Sequence, residues 1–259
     1  MIITGTDIKY TQAPLPFVGQ KKFYKTPFCE IIKRFNGQTV FDAFGGSGLL
    51  SRYTKDTRPD LDVYFNSVDD YCWRLSVVDD TNRVLDEMRL AGAYRTHNEY
   101  KRYSPDVEKR LKEIVEKGLD KYTCYVNLFA RSGHAPRAIC RTVNYSVDLC
   151  EHWFDGLIIT KHTLFSINNA YDCDLYILDP PYLSKPRQTR SNEDYLGDTN
   201  GARTFCKECI LSKKNIILFD EVDSDLIQLF REVNKDRTIH EHVKKYTKLL
   251  AKDMMITNV

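Results

Sequence analysis

A short acidic and proline-rich segment in the C-terminal half, Asp179-Pro180-Pro181-Tyr182, has the residue types needed to hold an amine beside a flat ring. It directly follows the apolar run DLYIL, which predicts a buried strand that ends at the acid. The two prolines stiffen the backbone and donate no amide hydrogens, so the carbonyl groups around Pro180 are rigid acceptors. A carboxylate and a carbonyl side by side suit an NH2 group, and the ring of Tyr182 can stack on a nucleobase. The segment therefore predicts a site for the exocyclic amine of a base.

A glycine-rich segment, VFDAFGGSGLL, places Gly45, Gly46 and Gly48 after one predicted strand and before a predicted helix. Glycines let the backbone bend sharply and approach a ligand, and parallel sheets bind ligands beyond the carboxyl ends of their strands. The spacing matches neither a phosphate-binding loop nor the full dinucleotide fingerprint, so a pyrophosphate is not indicated. Taken singly, the glycines could form only a tight turn, and the prolines could simply end a strand while Tyr182 packs in a core. Those alternatives do not account for the acid, the tyrosine and the glycine loop together.

Two acids, Asp69 and Asp70, follow the second predicted strand. A carboxylate at that point of a nucleoside-binding sheet can accept hydrogen bonds from ribose hydroxyls. The alternative is that both are solvated loop acids, and for Asp70 we favour that interpretation.

The elements that must position these residues alternate between strands and helices. Apolar runs predict strands at residues 39–44, 62–67, 156–160, 174–179 and 215–220. Ser104 is a predicted helix N-cap, and a second helix is predicted to start at Ser224. The apolar faces that follow them are Val107, Leu111, Ile114 and Val115 in one helix, and Leu226, Ile227, Phe230 and Val233 in the other. Strands alternating with helices predict an α/β fold with a mostly parallel sheet covered on both faces.

The interval between the second and third predicted strands is too long for a simple crossover and has no strong strand run. We therefore expect residues 1–79 and 156–259 to form one domain and residues 80–155 to form a helical insert. Positive charge is concentrated in two places, Arg131, Arg137 and Arg141 in the insert and Lys185, Arg187 and Arg190 just after Tyr182. Both clusters are candidates for contacts to a phosphate backbone, and for any one of these residues the alternative is a solvated surface position.

The composition excludes several classes of protein. The 259 residues include 38 basic and 36 acidic side chains, so no global field indicates a polyanionic partner. No run approaches the ~20 apolar residues of a membrane span, and residues 1–12 lack the pattern of a secretory leader, so we expect a soluble, cytoplasmic protein. Eight scattered cysteines suit a reducing compartment. Cys206 and Cys209 have the spacing of half a metal site, but no second pair follows and we expect no metal.

These motifs resemble those of DNA adenine-N6 methyltransferases of the Dam type. The D-P-P-Y motif of that family is present in full at residues 179–182. Its D-x-F-x-G-x-G motif is matched by Asp42, Phe44, Gly46 and Gly48. Its N-terminal motif, similar to P-x-x-W-x-G-G-K, is matched by Pro14, Phe17, Gly19 and Lys21, with phenylalanine in place of tryptophan and Gln20 in place of a glycine. The order of the motifs, with a long insert before D-P-P-Y, is also that of the family.

The resemblance implies a Rossmann-like methyltransferase fold, S-adenosylmethionine as cofactor and a flipped adenine in double-stranded DNA as substrate. It assigns the base to Asp179, Pro180, Pro181 and Tyr182, and target recognition to the insert. The cofactor residues that it implies are Phe17, Gly19, Lys21, Asp42, Phe44, Gly45, Gly46, Ser47, Gly48, Ser67, Asp69 and Asp179. Relatives that act on cytosine, ribosomal RNA or protein glutamine usually carry Ser or Asn first in the motif, so Asp179 favours adenine in DNA.

Two points of the resemblance stay open. Family members often have Asn-Asp at the end of the second strand, whereas this chain has Ser67 at the place of the acid, so either Ser67 or Asp69 contacts the ribose. Lys21 contacts the adenine or the cofactor, or is a surface lysine. A catalytically silent nucleic-acid-binding relative and an RNA adenine methyltransferase are therefore alternatives to the active DNA enzyme.

Overall fold

The computed structural model describes residues 10–17, 19–67, 70–92, 104–119, 144–161, 171–182, 199–245 and 252–259. These residues form a central sheet whose strands are, in chain order, β1 (Thr39–Asp42), β2 (Asp62–Asn66), β3 (Ile158–Thr160), β4 (Leu175–Leu178), β5 (Ile216–Glu221), β6 (His240–Lys245) and β7 (Lys252–Thr257). The α-helices are α1 (Lys25–Arg34), α2 (Leu49–Thr57), α3 (Tyr71–Ser76), α4 (Val78–Leu90), α5 (Pro105–Leu119), α6 (Val147–Glu151), α7 (Thr199–Leu211) and α8 (Asp225–Val233). None of the helices within these residues combines the length and the apolar character needed to cross a lipid bilayer.

The strand order is β3-β2-β1-β4-β5-β7-β6. Strands β1 to β5 pair in parallel, and β7 runs antiparallel to both β5 and β6. The chain builds one half of the sheet outward from β1 and then returns to start the other half with β4. The fold is thus the Rossmann-like, mostly parallel α/β fold that the sequence predicts.

The return of the chain places β1 beside β4, and this is the point where the strand order reverses. The backbone N–H of Ala43 donates to the carbonyl of Ile177 at 3.1 Å, which extends the pairing to the carboxyl ends of both strands. At the opposite ends, the Asp174 carboxylate accepts from the N–H groups of Gln38 and Thr39 and from the Thr39 hydroxyl, at 2.9 to 3.0 Å. Because Asp174 immediately precedes β4, these bonds fix the register of β4 against β1.

The central strands are apolar on both faces because helices cover both sides. Val40 and Ile177 pack with α1 and α2 on one side, whereas Phe41 and Tyr176 pack with α7 and α8 on the other. The alternation along each strand follows from the two-residue repeat of β-structure. The near-continuous apolar runs of the sequence therefore predicted strands at the correct places.

The five predicted strands are confirmed as β1 to β5, each within about two residues of its predicted ends. The predicted cap at Ser104 is present, since its hydroxyl accepts from the N–H of Val107 at 3.4 Å. The helix predicted to start at Ser224 is also confirmed, and Ser224 caps it by accepting from the N–H of Ile227 at 3.3 Å. The sequence analysis did not predict β6 and β7. The first of them, HEHVKK, is a polar edge strand, and it has no apolar run that would distinguish it from a loop.

Between β2 and β3, the described residues form helices α3 to α6. The side chains of Leu111 and Val115 lie outside the description, while Val107 and Ile114 of α5 pack against the main core. Tyr145 and Trp153, near the end of the predicted insert, are buried in that same core. The division into residues 80–155 and the remainder stays a prediction, because residues 93–103 and 120–143 lie outside the described ranges.

Candidate active site

Three sequence motifs meet at the carboxyl edge of the sheet. The glycine loop follows β1, and Asp179 to Tyr182 follow the neighbouring β4. The N-terminal segment reaches the same edge, because the Lys21 ammonium lies 2.5 Å from Oδ2 of Asp179. Residues far apart in the sequence are thus brought together where an open parallel sheet binds its ligands.

The glycine loop turns tightly from β1 into α2. Gly46 and Gly48 have φ values of 52° and 71°, a backbone conformation that other residues rarely adopt. The N–H of Gly48 donates to the carbonyl of Gly45 at 2.7 Å, and α2 begins at the next residue. A Cβ built on Gly46 would lie 3.0 Å from the ring of Phe17, so the N-terminal motif packs directly on this loop.

The loop is supported from behind by residues that the sequence analysis did not single out. Asn66 donates to the carbonyl of Ala43 at 3.1 Å, and the indole N–H of Trp153 donates to the carbonyl of Ser47 at 2.8 Å. A Cβ on Gly45 would lie 2.2 Å from the ring of Phe65, so only glycine fits there. The end of β2 and the turn that follows α6 therefore support the glycine loop.

Helix α3 fixes the N-terminal segment. The hydroxyl of Tyr71 accepts from the N–H of Leu15 at 3.0 Å and donates to its carbonyl at 3.1 Å. Arg74 donates to the carbonyl of Pro16 at 2.6 Å, and the ring of Phe17 packs edge-on against Tyr71 at 5.5 Å. These contacts position Phe17 on the glycine loop and direct the following residues to β4.

Lys21 is buried, with 8% of its surface exposed, which excludes the alternative of a surface lysine. Besides its ion pair with Asp179, its ammonium donates to the carbonyl of Gly19 at 3.0 Å. The same ammonium lies 5.3 Å from the centroid of the Tyr182 ring. Lys21 therefore joins the N-terminal motif to both ends of the D-P-P-Y segment.

The electrostatics of Asp179 result from opposing effects. Burial raises the pKa of this carboxyl, and the Lys21 ammonium opposes that shift. The nearby carboxylates of Asp253 and Asp220 raise the pKa further, although Asp220 is paired with Arg203 at 3.2 Å. Without Lys21, a buried acid surrounded by other acids would favour its neutral form.

Asp42, at the end of β1, carries a polar atom that the described residues leave unsatisfied. The side chain is 1% exposed, and its Oδ2 accepts from the Ser51 hydroxyl at 2.6 Å. Its other oxygen, Oδ1, has no hydrogen-bond partner among the described residues. Burial raises the pKa of Asp42 to about 7, while the bond from Ser51 opposes the shift. A buried acceptor without a donor is costly, and a ligand amine or hydroxyl would satisfy it.

The described residues after β2 do not show whether Ser67 or Asp69 would contact the ribose of a cofactor. Ser67 is buried, its hydroxyl lies 3.0 Å from the Cys72 thiol, and its N–H donates to the Thr160 carbonyl at 2.8 Å. Asp69, the other candidate, lies outside the described residues. Burial raises the pKa of Asp70, and its carboxylate lies 4.0 Å from the Arg74 guanidinium. Asp70 is therefore more buried than the solvated loop acid that the sequence analysis favours.

The predicted phosphate-contacting residues also lie outside the described ranges; they are Arg131, Arg137, Arg141, Lys185, Arg187 and Arg190. Their proposed role stays a prediction. Within the described part of the chain, no three His, Cys, Asp or Glu side chains are grouped in a way that could hold a metal ion.

No family model matches the chain. The chain is 26% identical over 250 residues to a Haemophilus influenzae protein described as "Putative methyltransferase", and the match covers 88% of this chain and 82% of that protein. Among solved structures, it is similar to a precorrin-6y C5,15-methyltransferase from Geobacter metallireducens, with 8% identity, a TM-score of 0.36 and 95% of each chain covered. It is also similar to a methyltransferase from Pyrococcus furiosus, with 8% identity, a TM-score of 0.36 and 99% and 90% of the two chains covered. Structural similarity of this extent carries no information about substrate.

The raised pKa of Asp42 predicts a measurable pH dependence of stability. The folded protein favours the protonated form of Asp42 more strongly than the unfolded chain does. The resulting stabilisation is fully present below about pH 3.9, the pKa of Asp42 in the unfolded chain, and is lost as the pH rises through about 7, its pKa in the folded protein. Asp42→Asn keeps an acceptor for Ser51 but does not ionise. We expect the variant to lose less free energy of unfolding than wild type between pH 4 and pH 8, by up to about 4 kcal/mol.

Urea denaturation at a series of pH values measures this difference. Asp62→Asn, at an exposed acid at the start of β2, is the matched control and should follow wild type. Parallel curves for wild type and Asp42→Asn would show that Asp42 is ionised in the folded protein.

Proposed function

We propose that this chain transfers a methyl group from S-adenosylmethionine to the exocyclic N6 amine of an adenine in double-stranded DNA. The observation that carries the proposal is the position of Lys21, whose ammonium contacts Asp179 at 2.5 Å at the edge where the glycine loop and the D-P-P-Y segment meet. Similarity to the Haemophilus influenzae protein described as "Putative methyltransferase" supports methyl transfer in general. The D-P-P-Y residues support the amine of adenine as the acceptor.

The described residues fit the cofactor. The positive φ values of Gly46 and Gly48 let the backbone approach a ligand closely, and Oδ1 of Asp42 needs a donor such as the amino group of the methionine part. The ring of Phe17, packed on the glycine loop, offers an apolar surface to the cofactor. When bound, S-adenosylmethionine supplies an electrophilic methyl group on a sulfonium sulfur.

The acceptor side uses Asp179, Pro180 and Tyr182. Tyr182 stacks on the adenine, while the Asp179 carboxylate and the Pro180 carbonyl accept the two hydrogens of the amine. Both acceptors draw the hydrogens to one side, which turns the nitrogen lone pair toward the methyl group. Only an ionised Asp179 can serve, and Lys21 is the group that favours the ionised form at this buried position.

The transfer needs no covalent intermediate with the protein. A bond forms between N6 and the methyl carbon as the carbon–sulfur bond breaks, and the cationic amine then releases a proton to Asp179 or to water. Catalysis comes from alignment and from stabilising the charge that develops on the amine. The buried thiol of Cys206, which is close enough to Asp179 to feel its charge, is not a nucleophile in this scheme, and burial raises its pKa well above the ordinary value.

Transfer of label from methyl-labelled S-adenosylmethionine to adenine-containing duplex DNA tests the proposal. We expect N6-methyladenine in the product nucleosides of wild type, and a rate at least about 10²-fold lower for Asp179→Ala. Asp62→Ala, at an exposed acid, should retain activity. Label in matched RNA but not in DNA would favour the RNA enzyme, and no transfer to either at high enzyme concentration would favour the silent relative.

Lys21→Met tests the electrostatic role of the ion pair. Lys21 lowers the pKa of Asp179, so its removal raises that pKa and moves the acidic limb of the pH–rate profile to higher pH. The rate should therefore recover in part as the pH is increased. Lys33→Met, at an exposed lysine of α1, should leave the profile unchanged. An equal loss of rate at every pH would mean that Lys21 acts only by contact with a ligand.

A further inference from the structure

The ammonium of Lys21 lies over two aromatic rings. One belongs to Tyr182, whose centroid is 5.3 Å away, and the other belongs to Phe219 of β5, at 5.8 Å. The same ammonium contacts the Asp179 carboxylate at 2.5 Å and the Gly19 carbonyl at 3.0 Å. Both rings are within the distance of about 6 Å at which a cation and an aromatic face attract each other. The lysine of the site is therefore held by an anion, a carbonyl and two rings.

The register of the sheet brings Phe219 to this position. Leu178 of β4 pairs with Leu218 of β5, and continuing this register by one residue places Phe219 beside Asp179. Side chains alternate along a strand, so Asp179 is on the same face as Ile177, two residues earlier. Ile177 and Phe219 pack in one core cluster, on the side of the sheet that α1 and α2 cover. Phe219 is thus a neighbour of the ion pair because of strand pairing, without any sequence motif.

The ring of Phe219 is supported by other rings. Phe219 is fully buried, and it packs edge-on against Tyr24 at 5.4 Å and in a tilted arrangement against Phe28 at 6.4 Å. Tyr24 ends a turn of 3-10 helix, Lys22–Tyr24, and its N–H donates to the Lys21 carbonyl at 2.9 Å. The backbone and the ammonium of Lys21 are therefore both attached to the same aromatic cluster.

Core packing alone does not require an aromatic ring at this position, because leucine has a similar volume. Leucine, however, has no negative π face to offer an ammonium. In the proposed mechanism the Asp179 carboxylate has to stay ionised, and the Lys21 ammonium favours that form only while it remains beside the carboxylate. The ring of Phe219 supplies an attraction that keeps the ammonium there.

We propose that Phe219 is a positioning residue of the methyl-transfer site, and that its ring holds the Lys21 ammonium on the Asp179 carboxylate. The inference rests on the proposed function for its effect on catalysis, whereas the contact itself is present in the protein without a ligand. It gives β5 a role in a site that the sequence motifs assign to the N-terminal segment, the glycine loop and the residues after β4.

Other titratable groups surround the ion pair. Those that act on Asp179, or on which its charge acts, are Lys21, Asp42, Tyr182, Cys206, Asp220 and Asp253. Replacing Phe219 by leucine alters none of these groups. A higher pKa of Asp179 in that variant would therefore report an ammonium displaced from the carboxylate.

NMR of protein labelled with ¹³C at the lysine ε-carbons tests the contact without any ligand. The rings of Tyr182 and Phe219 shift the ε-methylene signal of Lys21, which is assigned by its absence from Lys21→Met. Phe219→Leu should move this signal toward the range of exposed lysines. Phe230→Leu removes an equally buried ring from α8, in the other core cluster, and should leave the signal in place. A Lys21 signal that is unchanged in Phe219→Leu would refute the proposal.

A double-mutant cycle on the methyl-transfer rate tests the effect on catalysis. Phe219→Leu should move the acidic limb of the pH–rate profile to higher pH, as Lys21→Met does. The rate on that limb should fall about 2- to 30-fold, the rate equivalent of one cation–π contact. In the Lys21→Met background the same substitution should have no further effect, because the ammonium on which Phe219 acts is absent. Equal effects with and without Lys21 would mean that Phe219 acts only through core packing, against the proposal.

The two experiments separate this inference from the proposed function. A Lys21 signal that depends on Phe219, in a chain without methyl-transfer activity, would support the hold of Phe219 on Lys21 and overturn the function. Methyl transfer with a Lys21 signal and a pH profile that are both independent of Phe219 would overturn the positioning role and leave the function intact. Thermal melting of Phe219→Leu and Phe230→Leu sets the temperature of all assays, below the melting of both variants.

Discussion

The parallel pairing of β1 with β4 is the constraint on which the rest of the structure depends. It places the residue after each strand at the same edge, and the Asp174 carboxylate fixes the register from the opposite end. The glycine loop and the D-P-P-Y segment are consequently neighbours, although more than 130 residues separate them in the sequence. A change of register by one residue would turn every side chain of β4 to the other face of the sheet.

The second constraint is electrostatic. Asp42, Asp179 and Asp220 are gathered near one edge of the sheet, where burial raises the pKa of each carboxyl. The buried carboxylate of Asp253 adds negative charge close to Asp179. Lys21 and Arg203 offset part of the negative charge of these acids through ion pairs with Asp179 and Asp220. A site with an excess of buried acceptors is unfavourable by itself and suits a ligand that brings positive charge and N–H donors. A sulfonium cofactor with a free amino group, together with a base amine, has both properties.

The sequence was sufficient to predict those parts of the fold and site that depend on local patterns. Buried strands have apolar runs, and the bend after β1 needs glycine at Gly46 and Gly48, so both could be recognised without coordinates. Asn66, Tyr71 and Trp153 could not be recognised in this way. Trp153 supports Ser47 across 106 residues, and Tyr71 holds Leu15 across 56, distances over which no sequence period connects two positions. Strand β6 was missed because an edge strand exposed to solvent has no apolar signature.

A crystal structure with duplex DNA and an unreactive S-adenosylmethionine analogue, in which an amine replaces the methyl group, tests the central claim most directly. The account predicts that the analogue lies against Gly46 and Gly48 and that an extruded adenine stacks on Tyr182. The adenine N6 should lie about 3 to 3.5 Å from the amine of the analogue. An analogue bound at another edge of the sheet, or an adenine that does not reach Asp179, would contradict the account.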